Sequence, residues 1–195
     1  MSKEKYLEKI VALFKDEGLD LTMDIIAERI GVTKKTLYNQ FNSKEQMIDD
    51  CMQSMTEELK NTVACMGDTS TPASVGFRTG ITNMKVKMFD ISHAFIRDLQ
   101  MVYPNKATRD HITGSTYFVN MIRSNIERGM ATGEYRDDLQ PEFAAKYINF
   151  CIFNYFSQNV MRNKAISSDE YFRTVTDYHI HALMKHDNGP GPESE

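Results

Sequence analysis

Residues Thr22–Gln46 read TMDIIAERIGVTKKTLYNQFNSKEQ, and the spacing within them governs how the rest of the chain is interpreted. Thr22 stands where an N-cap would open a short helix from Met23 to about Ile30. Its hydroxyl can accept from an otherwise unpaired backbone N–H, an arrangement worth ~1 kcal/mol. Ile26, Ala27 and Ile30 share one face at spacings of three and four, and the small Ala27 admits a crossing helix. Gly31 ends the helix, because glycine takes the left-handed conformation that other residues resist. Thr33 is the second N-cap, opening a helix from Lys34 to about Gln40 in which Leu37 and Phe41 point one way. Lys34, Lys35, Thr36, Tyr38 and Asn39 are left for the other faces. Ser43 and Gln46 then match a capping box that starts a longer helix. Two short helices around a tight turn, the second rich in cations, suit one helix to the DNA major groove.

Charge separates this segment from an arbitrary helical hairpin. The chain carries a formal net charge of −4, yet Arg29 to Lys44 contains Arg29, Lys34, Lys35 and Lys44 and no acidic residue. Phosphate attraction is short-ranged in physiological salt, so an acidic protein with one basic patch can bind DNA. Two adjacent lysines alone would favour an ordinary solvated helix face. Joined to the caps, the Gly turn and the Leu37/Phe41 anchors, they favour DNA.

Residues 22–46 resemble the DNA-binding signature of the TetR family of transcriptional regulators. The matching positions are Thr22, Ile26-Ala27, Gly31-Val32, Thr36-Leu37-Tyr38, Phe41 and Ser43-Lys44-Glu45. Gly133-Glu134-Tyr135-Arg136 and Leu139-Gln140-Pro141-Glu142 also resemble the family's loop before its penultimate helix. The resemblance implies an all-helical dimer that responds to a small molecule bound in its C-terminal domain. Two positions depart from the common pattern: a small residue is usual where Lys35 stands, and an aromatic-histidine pair where Asn39-Gln40 stands. Any operator borrowed from a relative is thereby placed in doubt.

The expected architecture is all-α, with about nine helices. Residues 1–46 are the helix-turn-helix DNA-binding domain, 47–187 an effector-binding and dimerisation domain, and 188–195 a disordered tail. Helix 1 should run from about Lys3 to Glu17, placing Leu7, Ile10, Val11 and Phe14 against Ile26, Ile30, Leu37 and Phe41. The helix from Lys44 to about Cys65 should pack on both domains in turn. Gly67 to Gly76 reads as a loop. Ser92 or Asp90 caps a helix ending near Tyr103-Pro104. Further helices are expected over about 106–131, 141–163 and 169–185, the last opened by Ser167 and Glu170 in capping-box spacing.

With 41% hydrophobic and 26% charged residues the composition is that of a soluble globular protein. No apolar run approaches the ~18 residues of a membrane span. The N-terminus lacks the apolar core of a signal peptide, and Cys51, Cys65 and Cys151 are odd in number and far apart. Free thiols in a reducing cytoplasm are the expected state, with no disulfide framework, metal site or cofactor. His93, His111, His179, His181 and His186 are scattered, no nucleophile motif is recognisable, and the reading is not an enzyme.

From Phe143 to Phe156 the sequence is apolar nearly all round, so one side must meet its own core and the other something else. The expected partner is a second copy, through a four-helix interface formed by Ile148, Ile152, Tyr155, Phe156, Phe172, Val175, His179 and Leu183. A twofold pair of recognition helices implies a palindromic operator on double-stranded DNA. Lys34, Lys35, Thr36 and Asn39 are the candidates for base edges. Tyr38 and Lys44 resemble the family's phosphate contacts, and Thr33 is a cap first. Met84, Met88, Phe95, Met101, Val119, Met121 and Phe150 are the candidates to line an effector cavity, since Met-rich walls adapt to irregular apolar ligands. Plain core is the commoner fate of such a stripe. The resulting expectation is a homodimeric repressor released by a small hydrophobic effector. An effector-independent structural DNA-binding protein and a helical lipid-binding protein without DNA binding are its rivals.

Overall fold

The computed structural model describes residues 2–102, 104, 115–161 and 168–185, with the side chains at 115, 155–161 and 168 outside that description. Nine α-helices occupy these residues: α1 (Lys3–Glu17), α2 (Met23–Ile30), α3 (Lys34–Tyr38), α4 (Lys44–Val63), α5 (Ala73–Phe89), α6 (His93–Val102), α7 (Ser115–Ala131), α8 (Pro141–Met161) and α9 (Ser168–Leu183). A 3-10 turn over Ala64–Gly67 follows α4. The class is all-α, as the periodicity predicts.

Local chemistry sets the ends of the first helices. Gly31 has φ 75° and ψ 43°; its N–H donates to Glu28 O at 3.1 Å and the Val32 N–H to Ala27 O at 2.9 Å. That pair of bonds is a Schellman closure, satisfying carbonyls that the helix leaves open. Ser43 Oγ accepts from Gln46 N–H at 3.1 Å. The reciprocal bond of the capping box lands one residue early, with Gln46 Oε1 accepting from Asn42 N–H at 3.0 Å.

Two elements differ from expectation. Helix α3 stops at Tyr38, two residues short of Gln40, and the chain continues as a turn. Helix α5 begins at Ala73, inside the stretch read as a loop. Its N-terminus lacks a cap from its own sequence, and Glu134 supplies one from the α7–α8 turn. The Glu134 carboxylate accepts from the N–H groups of Ala73 and Ser74 (3.0 Å for Ser74) and from the Ser74 hydroxyl. Ser92 is the cap of α6, its Oγ accepting from Phe95 N–H at 3.2 Å. The expected helical stretch before Ser115, the Ser167 cap and the 188–195 tail lie outside the described residues.

Two apolar clusters form. The first gathers Ile10 and Phe14 of α1, Ile26 and Ile30 of α2, Leu37 and Phe41 around α3, and Met47, Ile48 and Met52 of α4. It also takes Phe95 and Leu99 from α6, so it is closed by a helix from far along the chain. The second holds Val63, Phe77, Ile81, Met84, Phe118, Ile122, Ile126, Ile148, Ile152, Phe172 and Leu183. Helix α4 enters the first cluster with its N-terminal half and reaches the second with Leu59 and Val63.

Candidate nucleic-acid interface

Helix α3 is held from beneath and at its start. Leu37 and Phe41 are buried, and Thr33 Oγ1 accepts from Thr36 N–H at 3.1 Å. The two threonine hydroxyls lie 2.9 Å apart, so the Thr36 side chain is turned toward the cap. Lys34, Lys35, Tyr38 and Asn39 are exposed, while Thr36 and Lys44 are half-buried. These seven residues, the expected DNA contacts, therefore sit on α3, its cap and the first turn of α4.

The electrostatics contain a feature that the run from 29 to 44 does not reveal. Lys34 Nζ lies 2.8 Å from Asp24 Oδ2, and Arg29 Nε lies 3.1 Å from Glu17 Oε1. The hydrogen bond with Asp24 holds the Lys34 amine above the usual lysine range. Both partners are solvent-facing, so the pair holds Lys34 only weakly. Asp24 is on the opening turn of α2, and only the fold of the hairpin brings it to Lys34.

The first core joins the helix-turn-helix to α6 through polar contacts as well. Asp98 Oδ2 accepts from Leu19 N–H at 2.9 Å and from Asp20 N–H at 3.1 Å, in the turn between α1 and α2. Asp98 Oδ1 accepts from Arg97 Nε at 2.9 Å. Burial opposes ionisation of Asp98, but the Arg97 guanidinium and the two amides outweigh it and hold the carboxyl below its usual range. Gly18, at φ 93°, makes room: a Cβ there would stand 2.5 Å from Asp98 Oδ2. Ser92 N–H donates to Lys15 O at 2.7 Å, a second tie between α6 and the end of α1.

Of the expected effector-cavity residues, Met88 and Phe95 line a cavity of about 120 Å³ beside α6. Met84 is fully buried in the second core, and Val119 and Met121 pack against that core. Met101 and Phe150 are 73% and 64% exposed and line no interior space. Helical spacing put them on an apolar stripe without fixing which side of the stripe faced inward. Sequence reasoning missed Met52, Met55, Leu59, Ile96 and Leu99 in the cavity wall, although all five are apolar positions on predicted helices.

The apolar face of α8 and α9 also differs from expectation. Ile148, Ile152, Phe172 and Leu183 are buried in the protomer's own core, so they do not form a free face. Val175 is half-buried, and His179 is buried with its Nδ1 2.6 Å from Val175 O. Burial pushes the His179 imidazole down against that bond, favouring the neutral ring. The exposed residues are Phe143 (68%), Tyr147 (54%), Phe150 (64%) and Tyr178 (73%). Phe143 and Tyr147 stack with centroids 6.4 Å apart. Tyr155 and Phe156 lie outside the described side chains.

Residues 7–51, which span α1, the helix-turn-helix and the start of α4, match the model described as bacterial regulatory proteins, tetR family. The HTH-type transcriptional repressor KstR2 of Mycolicibacterium smegmatis is 24% identical over 155 residues, covering 75% of this chain and 73% of that protein. In its N-terminal unit the chain is similar to TetR-family regulators. That likeness supports a DNA-binding transcriptional regulator. The fold is that of solved transcriptional regulators. PfmR from Thermus thermophilus superposes with a TM-score of 0.68 at 16% identity, over 93% of this chain and all of that one (100%). A protein from Saccharomonospora viridis in complex with choline does so with 0.78 at 14% identity, over 94% and 98%. Among the described residues no helix is long and apolar enough to cross a membrane, and no cluster of three His, Cys, Asp or Glu is placed to hold a metal ion.

Proposed function

We propose that the protein is a homodimeric repressor that reads a palindromic operator with α3 and is released when a small apolar effector displaces α6. The observation that carries this reading is the coexistence of a cationic helix over buried Leu37 and Phe41 with an exposed aromatic face on α8 and α9. One contacts DNA, and the other sets two such helices at a fixed separation. Successive major grooves on one side of a duplex lie about 34–36 Å apart, which is the spacing the twofold pair must supply. Lys34, Lys35 and Asn39 meet base edges, with Thr36 close to its cap. Tyr38 and Lys44 meet phosphates, and Thr33 holds the start of α3.

Release follows from how α6 is fastened. Phe95 and Leu99 belong to the core beneath the helix-turn-helix, and Asp98 grips the α1–α2 turn. A ligand that moves α6 therefore moves the platform that carries α3. Repression in place of activation is supported by the curated relatives, two of which are KstR2 repressors. Effector binding is supported by the choline complex of the Saccharomonospora protein.

The test is fluorescence anisotropy on operator fragments recovered by genomic footprinting. Replacing Lys34 and Lys35 together by Ala should cut affinity at least tenfold and relax discrimination against operators altered at the contacted bases. Unchanged operator retention by the double variant would overturn the assignment of α3 as the reading helix.

A further inference from the structure

The cavity beside α6 lies at the junction of the two clusters. Its walls come from α1 (Lys15), α4 (Met52, Met55, Leu59), α5 (Met88), α6 (Phe95, Ile96, Leu99) and α8 (Phe153). A molecule held there touches the DNA-binding unit and the C-terminal helices at once.

Its polar rim offers little to a charged guest. Lys15 lies 3.3 Å from both Glu58 and Asp90, and Glu58 also pairs with Lys87. The lining holds two cations, Lys15 and Lys87, and one carboxylate, Glu58. Asp90 meets Lys15 from outside it, so both cations are already paired. Thr56 also lines the cavity, but its hydroxyl donates to Met52 O at 2.8 Å. Behind the rim the lining is methionine, leucine, isoleucine and phenylalanine. An ion entering this space would lose hydration without finding a counter-charge, which carries a heavy cost.

Size narrows the class further. A dry apolar cavity of roughly 150 Å³ holds a benzene ring, whereas sites for drug-sized ligands run to roughly 300–1,000 Å³. At about 120 Å³ this one matches a single ring or a short branched chain. Three methionines in the wall allow modest adjustment of shape but not a several-fold gain in volume.

We propose that this junction cavity is a ligand site for a small, uncharged, apolar molecule of single-ring size. The assignment rests on the effector-release reading for its role, and on volume and lining for its chemistry. Occupancy wedges α6 away from α4 and α1, against the ties that Ser92 and Asp98 make to the α1–α2 region.

The probe is toluene, with benzoate, benzylamine and a fused four-ring ketone as comparators. Binding is followed by ligand-observed NMR on the full-length protein, and operator affinity by anisotropy in the same samples. Toluene should bind saturably and lower operator affinity about 5–150-fold, the usual range of allosteric coupling. The two charged isosteres and the four-ring ketone should not compete with it. Leu59→Phe, and separately Ile96→Phe, should fill the space and abolish toluene binding.

Absence of saturable toluene binding would overturn the site. So would competition by benzoate, benzylamine or the four-ring ketone, a comparison made on the wild-type chain and independent of whether either variant folds. Binding that persists in a folded Leu59→Phe or Ile96→Phe protein would overturn it too. Saturable binding without any change in operator affinity would uphold the site and instead remove effector release through α6. Release by some other compound, unaffected by both fillings, would do the reverse.

Discussion

At Asp98 one buried carboxylate holds two parts of the molecule in register. Its Oδ2 takes both Leu19 N–H and Asp20 N–H, 79 and 78 residues away, so no local pattern marks it in the sequence. Gly18 is legible as a helix terminator, yet its second role, leaving space for that oxygen, depends on α6 being there. Replacing Asp98 by Ala strands a buried amide, and such an unsatisfied group costs about 1–3 kcal/mol. For a chain of this size each kcal/mol moves Tm by roughly 2–4 °C, so a fall of about 2–12 °C should be seen by calorimetry. Hydrogen exchange at Leu19 should quicken in parallel. Unchanged exchange there would show that the turn is held by other contacts. Lys34 and Asp24 teach the same lesson at the surface: the lysine reads as a candidate DNA contact, but its resting partner leaves no mark in the sequence.

Element by element, legibility follows how local the cause is. Helices α1, α2 and α4 begin or end on Thr22, Gly31, Ser43 and Gly18, whose chemistry acts within a few residues, and those ends match the sequence reading. The far end of α4 falls at Val63, two residues before the expected Cys65. Helix α5 does not, because its cap is Glu134, some 60 residues on. Burial disfavours ionised Glu134. The Ser74 hydroxyl, the amides of Ser74 and Ala73 and the nearby Arg128 outweigh burial, holding the carboxyl below its usual range. Its folded pKa being depressed, the stabilisation is present above the ordinary glutamate value of about 4.3 and is lost as pH falls through the folded one. Glu134→Ala should therefore cost about 0.5–2 kcal/mol at pH 7, the range for losing an N-cap. In urea melts the gap between the two proteins should narrow below about pH 4. A gap that stayed constant into acid would mean that the carboxylate's charge has no part in capping α5. Helix α8 shows another limit. Apolar residues all round its axis require two partners, but periodicity cannot say which stripe meets which. Packing turned Ile148 and Ile152 inward and Phe143, Tyr147 and Phe150 outward.

For the whole molecule, the outward aromatic face is where two copies are proposed to meet. Because Tyr147 and Phe150 are exposed in the protomer, Tyr147→Lys with Phe150→Glu should leave the fold intact. Light scattering should then show the mass of a single chain. Operator affinity should fall by about 10²–10⁴, the advantage that linking two half-sites confers. A dimer that persisted with both substitutions would move the interface elsewhere. The sequence by itself determined the helix-turn-helix, the all-helical class and the cationic α3, since caps, turns and helical periodicity act over a few residues and leave a mark wherever they act. Only the tertiary structure decided which stripe of α8 is core and which is surface, what caps α5, and where a cavity opens beside α6. Each of those depends on groups brought together from distant parts of the chain, and apolar packing has no direction that a linear pattern can encode.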